Sequence, residues 1–229
     1  RMGLFGRSKK KTAAAENAPV NDEAPSPESE AAKGPFDIKD APESERVDFG
    51  SLQIPAREGM SIAVEVEKRS RAVTGLTLTY GESQIQVNAF ATPKSEGLWD
   101  DIRKSLRESI ASQGGTTETR EGAFGTELYA RIPIAVKGSN KRAHRPMRFV
   151  GIDGPRWFLR AVISGAALQT GAVREEVEEI IRSIVVVRGS MAKAPREVLE
   201  LKVPGEGSAA TLPDDDDLLG QGPTIAEVR

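Results

Sequence analysis

The chain of 229 residues has no cysteine, a single histidine, and aromatic side chains at only 5%. Without a thiol there is no disulfide framework, no thiolate nucleophile and no thiolate zinc site. The one imidazole, His144, lies in "KGSNKRAHRP" with no carboxylate run nearby, which marks a solvated histidine of a basic loop rather than a general base. No serine sits in a nucleophile-elbow pattern to use it. HExxH, P-loop and GxGxxG motifs are all missing. The Asp214 to Asp217 run lacks the glycine and terminal glutamate spacing of a calcium loop and is read as an acidic tail. No metal or cofactor is expected.

Long apolar runs are also missing, with nothing near the roughly 18 consecutive residues that a spanning helix requires. In "RMGLFGRSKKK" the apolar residues Met2, Leu4 and Phe5 precede the charges, the reverse of a secretory signal, and Arg7 stands where a myristoylation motif wants Ser or Thr. A cytoplasmic protein is expected. Leu4 and Phe5 with Lys9, Lys10 and Lys11 could provide only a weak membrane-surface contact, each charge adding roughly 1 kcal/mol. Charge of one sign is lacking too: 32 basic residues against 34 acidic give a net charge of -2, which argues against a generic nucleic-acid binder.

What is present is a folded middle between two polar ends. Residues 1–46 are dominated beyond Thr12 by Ala, Glu, Pro, Ser, Asn and Asp and cannot bury enough surface to offset an ordering cost of roughly 1–2 kcal/mol per residue. They are expected as a disordered tail, with "GPFDI" (Gly34 to Ile38) as a short docking point. Residues 47–203 form the single domain, and 204–229 an acidic flexible tail. Period-two alternation appears at Ile62, Val64 and Val66, at Leu76, Leu78 and Tyr80, and at Ile85, Val87 and Ala89, the pattern of half-buried antiparallel strands. Leu98 or Trp99, Ile102, Leu106 and Ile110 switch to helical spacing, closed by Gly114 and Gly115. A second strand set carries Leu128, Ala130 and Ile132 on one side. A second helix presents Val173, Val177, Ile180, Ile181 and Ile184, running into the strand "IVVVRG". "REVLELKVP" is a strand or an arm lying on the domain. The fold class is therefore α+β, an antiparallel sheet covered by two main helices.

"RFVGIDGPRWFLRAVISG" (Arg148 to Gly165) crowds Gly, Asp, Pro, Arg and Trp as an active site would. Two alternating runs flank Asp153, Gly154 and Pro155, so a β-hairpin accounts for it. Trp157, Leu159, Ala161 and Ile163 fall on one face, with Phe158, Arg160 and Val162 on the other. The functional reading of the same stretch places Arg148, Arg156, Trp157 and Arg160 at a ligand or partner, because Arg favours bidentate pairing with anions.

"MGLFGR", "GPF", "GLWDDIR", "RFVGIDGPRWFLRAVISG" and "IVVVRG" together resemble the actinobacterial domain of unknown function 3710 family. That resemblance implies no activity and no catalytic residues. The order of "IPAREGMSI", a strand meander, a helix, a long strand set and a last helix ending in "RSIVVV" is similar to the PsbP-like fold, an α/β/α sandwich. This implies a binding module or assembly factor more often than an enzyme. The lipoprotein cysteine that some proteins of that shape use for export is missing, which again implies the cytoplasm.

The first functional reading is thus a non-enzymatic binding or adaptor domain, holding a protein partner on its sheet face or in a groove between helices. The second is a small-ligand or phosphate-metabolite binder, or an enzyme of unrecognised type, working through Arg148, Arg156 or Arg160. The third is nucleic-acid association through the loop bearing Lys137, Lys141, Arg142 and Arg145, which lacks aromatic residues to stack bases.

Overall fold

Alternation in the middle of the chain folds as its spacing dictates. The computed structural model describes residues 34–68, 70–93, 97–135 and 142–204, all within one compact unit, Lys33–Arg229. In chain order the elements are β1 (Phe36–Asp37), β2 (Arg46–Asp48), β3 (Leu52–Pro55), β4 (Met60–Val66), β5 (Val73–Tyr80), β6 (Ser83–Ala91), α1 (Trp99–Ser112), β7 (Thr116–Gly122), β8 (Gly125–Ala135), β9 (Arg142–Gly154), β10 (Trp157–Gly165), α2 (Ala172–Arg182) and β11 (Val185–Val186). A short 3-10 turn, Ala166–Leu168, leads into α2. No helix among the described residues is long and apolar enough to cross a membrane.

Seven strands make one antiparallel sheet in the order β4-β5-β6-β10-β9-β8-β7. Its two faces carry separate hydrophobic cores, and β10 contributes to both because its side chains alternate. Trp157, Leu159, Ala161 and Ile163 join Leu76, Leu78, Ile85 and Val87 with Val177, Ile180, Ile181 and Ile184 of the α2 segment. Phe158 and Val162 point the other way, to Phe90, Leu128 and Phe149 with Trp99, Ile102, Leu106 and Ile110 of α1. Both helical stripes are therefore buried as their spacing predicts, except at Val173, which is 42% exposed. It sits in the first turn of α2, before the helix meets the sheet.

A second sheet, unforeseen in the sequence, has the order β1-β11-β3-β2. Its β1/β11 pair is parallel, Phe36 facing Val185 and Asp37 facing Val186. Gly34 to Ile38 thus lies against the domain, so β1 falls within the stretch expected to be tail. A two-residue strand shows no periodicity of its own, and its partner is some 150 residues away in the chain. The segment after β11 is an arm. Leu199 N donates to Ala89 O at 2.8 Å and Leu201 N to Val73 O at 2.9 Å, so the arm enters where β5 and β6 splay apart and buries Leu199 and Leu201 in the α2-side core.

Helix α1 ends in a Schellman arrangement: Gly114, at φ +80°, donates to Ala111 O, and Gly115 donates to Ile110 O. Only glycine enters that left-handed conformation without a Cβ penalty. Its N-terminus is capped from across the fold, as described next.

Candidate functional site

The stretch Arg148 to Gly165 is β9, a tight turn and β10, with Gly154 paired to Trp157 across Pro155 and Arg156. Pro155 precedes Arg156 at φ +67°, the backbone pattern of a type II turn with arginine in the position that glycine usually takes. The Arg156 side chain is exposed, and its carbonyl accepts hydrogen bonds from Thr92 N at 3.1 Å and Arg188 Nε at 3.2 Å.

The other conspicuous residues hold the fold together. Leu98 N donates to Asp153 Oδ1 at 2.7 Å and Trp99 N to Asp153 Oδ2 at 3.3 Å, so this carboxylate caps α1, where the Leu98 side chain cannot. A Cβ on Gly151 would lie 2.2 Å from the Trp99 ring, and one on Gly154 2.2 Å from Trp157. Trp157 Nε1 donates to Asp37 Oδ2 at 3.0 Å, and Trp99 Nε1 donates to Thr126 O at 2.5 Å. Two motifs that looked separate in the sequence, "GPFD" and "GLWDD", therefore both dock on the third, "GIDGPRW", through Trp157 and through Asp153 and Gly151 respectively.

The structure does not bring Arg148, Arg156, Trp157 and Arg160 together. Trp157 is in the α2-side core. Arg148 is fully buried on that same side and is consumed by carboxylates: Nε donates to Glu127 Oε2 at 2.7 Å, and Nη2 to Glu127 Oε1 at 2.6 Å and Glu178 Oε1 at 2.7 Å. Arg174 joins them, donating from Nε to Glu178 Oε1 and from Nη2 to Tyr129 Oη, each at 2.9 Å. Burial raises the Glu178 carboxyl, but hydrogen bonds from Arg174 and Arg148 outweigh it and hold the group below its ordinary value. This network clamps α2 to β8 and β9.

Arg160 lies on the opposite face and is different. It is 5% exposed, with Nη2 donating to Asn88 Oδ1 at 2.8 Å and its guanidinium 5.8 Å from the Phe90 ring centroid. Nε is buried without a partner, as is Nη1 of Arg148; what sets Arg160 apart is that among the described residues no carboxylate lies within ion-pair distance of it, whereas Arg148 pairs with Glu127 and Glu178. Burial pushes the guanidinium down to about 10, with Glu65 acting the other way, so it remains a cation at neutral pH. Asn88 Nδ2 donates to Thr74 O at 3.1 Å, and Thr77 Oγ1 donates to Glu65 Oε1 at 2.7 Å. Gly75 leaves room for this: a Cβ there would lie 2.2 Å from Asn88 Nδ2 and 2.8 Å from Glu65 Oε2.

One row of residues, read across all seven strands, locates the surface on which Arg160 sits. It runs Ala63, Thr77, Gln86, Val162, Phe149, Leu128, Thr119. The last strands lie under α1, which packs on β7, β8 and β9, and there the row is apolar at Phe149 and Leu128, ending on exposed Thr119 at the edge. Toward β4 it turns mainly polar, with the half-buried carboxylate of Glu65 on the same face. Ser61, Ala63 and Gln84 are exposed there, and Thr77, Thr79 and Gln86 half-buried, with Arg160 and Asn88 recessed beside them. Nothing in the alternation of β5 and β6 distinguishes this half-face from any wet sheet; only the pairing of Asn88 with Arg160 does.

His144 and Arg145 stand exposed in β9, opposite Pro133 and Ile132, rather than in a loop, because the β8/β9 hairpin extends further than its hydrophobic alternation. Lys137, Lys141, Leu4, Phe5, Lys9 to Lys11 and Asp214 to Asp217 lie outside the described residues, and Arg142 is placed by its backbone alone.

Residues 34–210 match the family described as "Protein of unknown function (DUF3710)". No curated protein matches the chain. The solution structure of cyanobacterial PsbP (CyanoP) from Synechocystis sp. PCC 6803 is similar at 13% identity and a TM-score of 0.36, covering 62% of this chain and 91% of that one.

Proposed function

The chain belongs to the DUF3710 family, and from that premise we propose that it is a non-enzymatic binding domain, engaging a protein partner on the sheet face formed by β4, β5, β6 and β10. The observation that carries this is Arg160: a buried cation with no ion pair among the described residues, set beside exposed Ser61, Ala63 and Gln84 and half-buried Thr77, Thr79 and Gln86. An arginine without an ion pair in the interior costs several kcal/mol, a cost that a fold does not sustain for stability. Arginine is enriched among the anchors of protein interfaces, and Arg160 is the arginine recessed in this half-face. An acidic or carbonyl group of the partner completes the hydrogen bonding of the guanidinium. The same reading takes the architecture as a PsbP-like α/β/α sandwich, because the apolar residues of α1 and α2 belong to different cores.

A photo-crosslinking amino acid placed at Gln84 in the native host tests this. A discrete adduct is expected from Gln84, absent from a control at exposed Glu179, and lost when Arg160→Met is added. Equal adducts from both positions, or an adduct indifferent to Arg160→Met, would overturn the reading.

A further inference from the structure

We propose that two copies of this chain associate edge to edge through β7, antiparallel and centred on Thr119, so that the seven-stranded sheet continues across a twofold axis. This inference is independent of the partner surface around Arg160.

Among the described residues the strand β7 is an edge of the sheet, paired with β8 alone in an unbroken register from Thr116 to Gly122. Its sequence is TTETREG, and no residue in it is buried. Exposed edges are normally blunted by lysine, proline or a bulge, because their free N–H and C=O groups template pairing with another chain. β7 has no lysine, proline or bulge, and the charged side chains it does carry, Glu118, Arg120 and Glu121, are of both signs, so they can complement a second copy rather than only repel it. The opposite edge has one of these devices: β4 shifts register at Glu65/Val66.

Geometry then restricts the register. Gly122 and Gly125 flank a two-residue turn and face each other, so they are a hydrogen-bonded pair, and the pairs alternate along an antiparallel ladder. Thr117, Thr119 and Glu121 therefore aim their backbone groups away from β8. A second β7 can meet them only in registers that set these residues opposite one another. With Thr119 opposite itself, Glu118 faces Arg120 of the second copy and Arg120 faces Glu118. Sliding by two residues one way opposes Glu118 to Glu118, and the other way Arg120 to Arg120. Opposite charges directly across a strand pair stabilise and like charges destabilise, so one register is selected. Within a single copy the two side chains already pair, Arg120 Nε to Glu118 Oε1 at 2.8 Å, and both are more than half exposed. In the dimer each side chain gains its counterpart on the second copy, and an isologous contact of this kind closes on itself.

Sedimentation velocity of the full chain across micromolar concentrations provides the test. The wild type is expected to be a dimer. Glu118→Arg and Arg120→Glu should each weaken it at least about tenfold, since two attractive cross-strand pairs become repulsive in each. An equimolar mixture of the two variants should restore a dimer near wild-type strength, because the all-Arg and all-Glu strands complement each other. Circular dichroism of each variant checks that the fold is kept. A monomeric wild type would overturn the proposal, including one whose β7 amides resist hydrogen exchange because another segment of the chain covers them. So would a dimer insensitive to both reversals, or a mixture that stays monomeric.

Discussion

Arg148 and Arg160 show how one residue type, separated by a hairpin turn and facing opposite sides of a sheet, serves different ends. Arg148 is neutralised where it lies. Glu178, one of its partners, sits below its unfolded value of 4.5. A carboxyl depressed in the folded state contributes stability that is fully present above the unfolded value and is lost as pH falls through the folded one. Glu178→Gln should therefore cost about 2 kcal/mol at neutral pH, less than a fully buried pair because Glu178 lies at the margin of the network. Urea unfolding at a series of pH values should show the difference from wild type shrinking as the solution is acidified below pH 4.5. Arg160 is not neutralised, and Arg160→Met should raise the urea midpoint, with a gain of about 1 kcal/mol after the loss of the Asn88 hydrogen bond. A fall in stability would mean that the cation is held for the fold and not for a partner.

At the scale of elements, α1 and the C-terminal arm both depend on distant chain. Asp153→Ala removes the cap of α1 and should cost about 1 kcal/mol, with thermal unfolding as the measure. Leu199→Ala should cost about 3 kcal/mol, far more than expected for a tail residue, because Leu199 fills the gap between the splayed strands. These elements also mark where the sequence could and could not be read. The helical stripes Ile102, Leu106, Ile110 and Val177, Ile180, Ile181 are visible because an element buried on one side must repeat its apolar residues at its own period. The sides of β10 are visible for the same reason. A docking point at Gly34 to Ile38 and an arm after β11 could be named, but the strands they pair with, and the Asp153 cap, could not, because each is a contact between stretches that carry no period. The candidate site divides along the same line. Arg160 could be named from its residue type, but its lack of a carboxylate, unlike Arg148, depends on which strands become neighbours.

For the whole molecule, the two cores share β10 and should lose their structure together. The two tryptophans, the total in the chain, report one core each: Trp99, the first residue of α1, in the α1-side core and Trp157 in the α2-side core. Trp99→Phe and Trp157→Phe each leave a single fluorophore, and their urea transitions should coincide with the circular dichroism of the same variant if unfolding is two-state. Separate midpoints would mean that one layer can detach while the sheet persists.

The contact of Trp99 with Gly151 has an evolutionary corollary. Bulk on one side of that contact requires a vacancy on the other, so the two positions are a lock and its key distributed between helix and strand. Chains sharing this architecture should exchange them in concert: a side chain gained at 151 accompanies a ring lost at 99. Gly151→Ala, severe in the native background, should be markedly milder when Trp99 is already leucine.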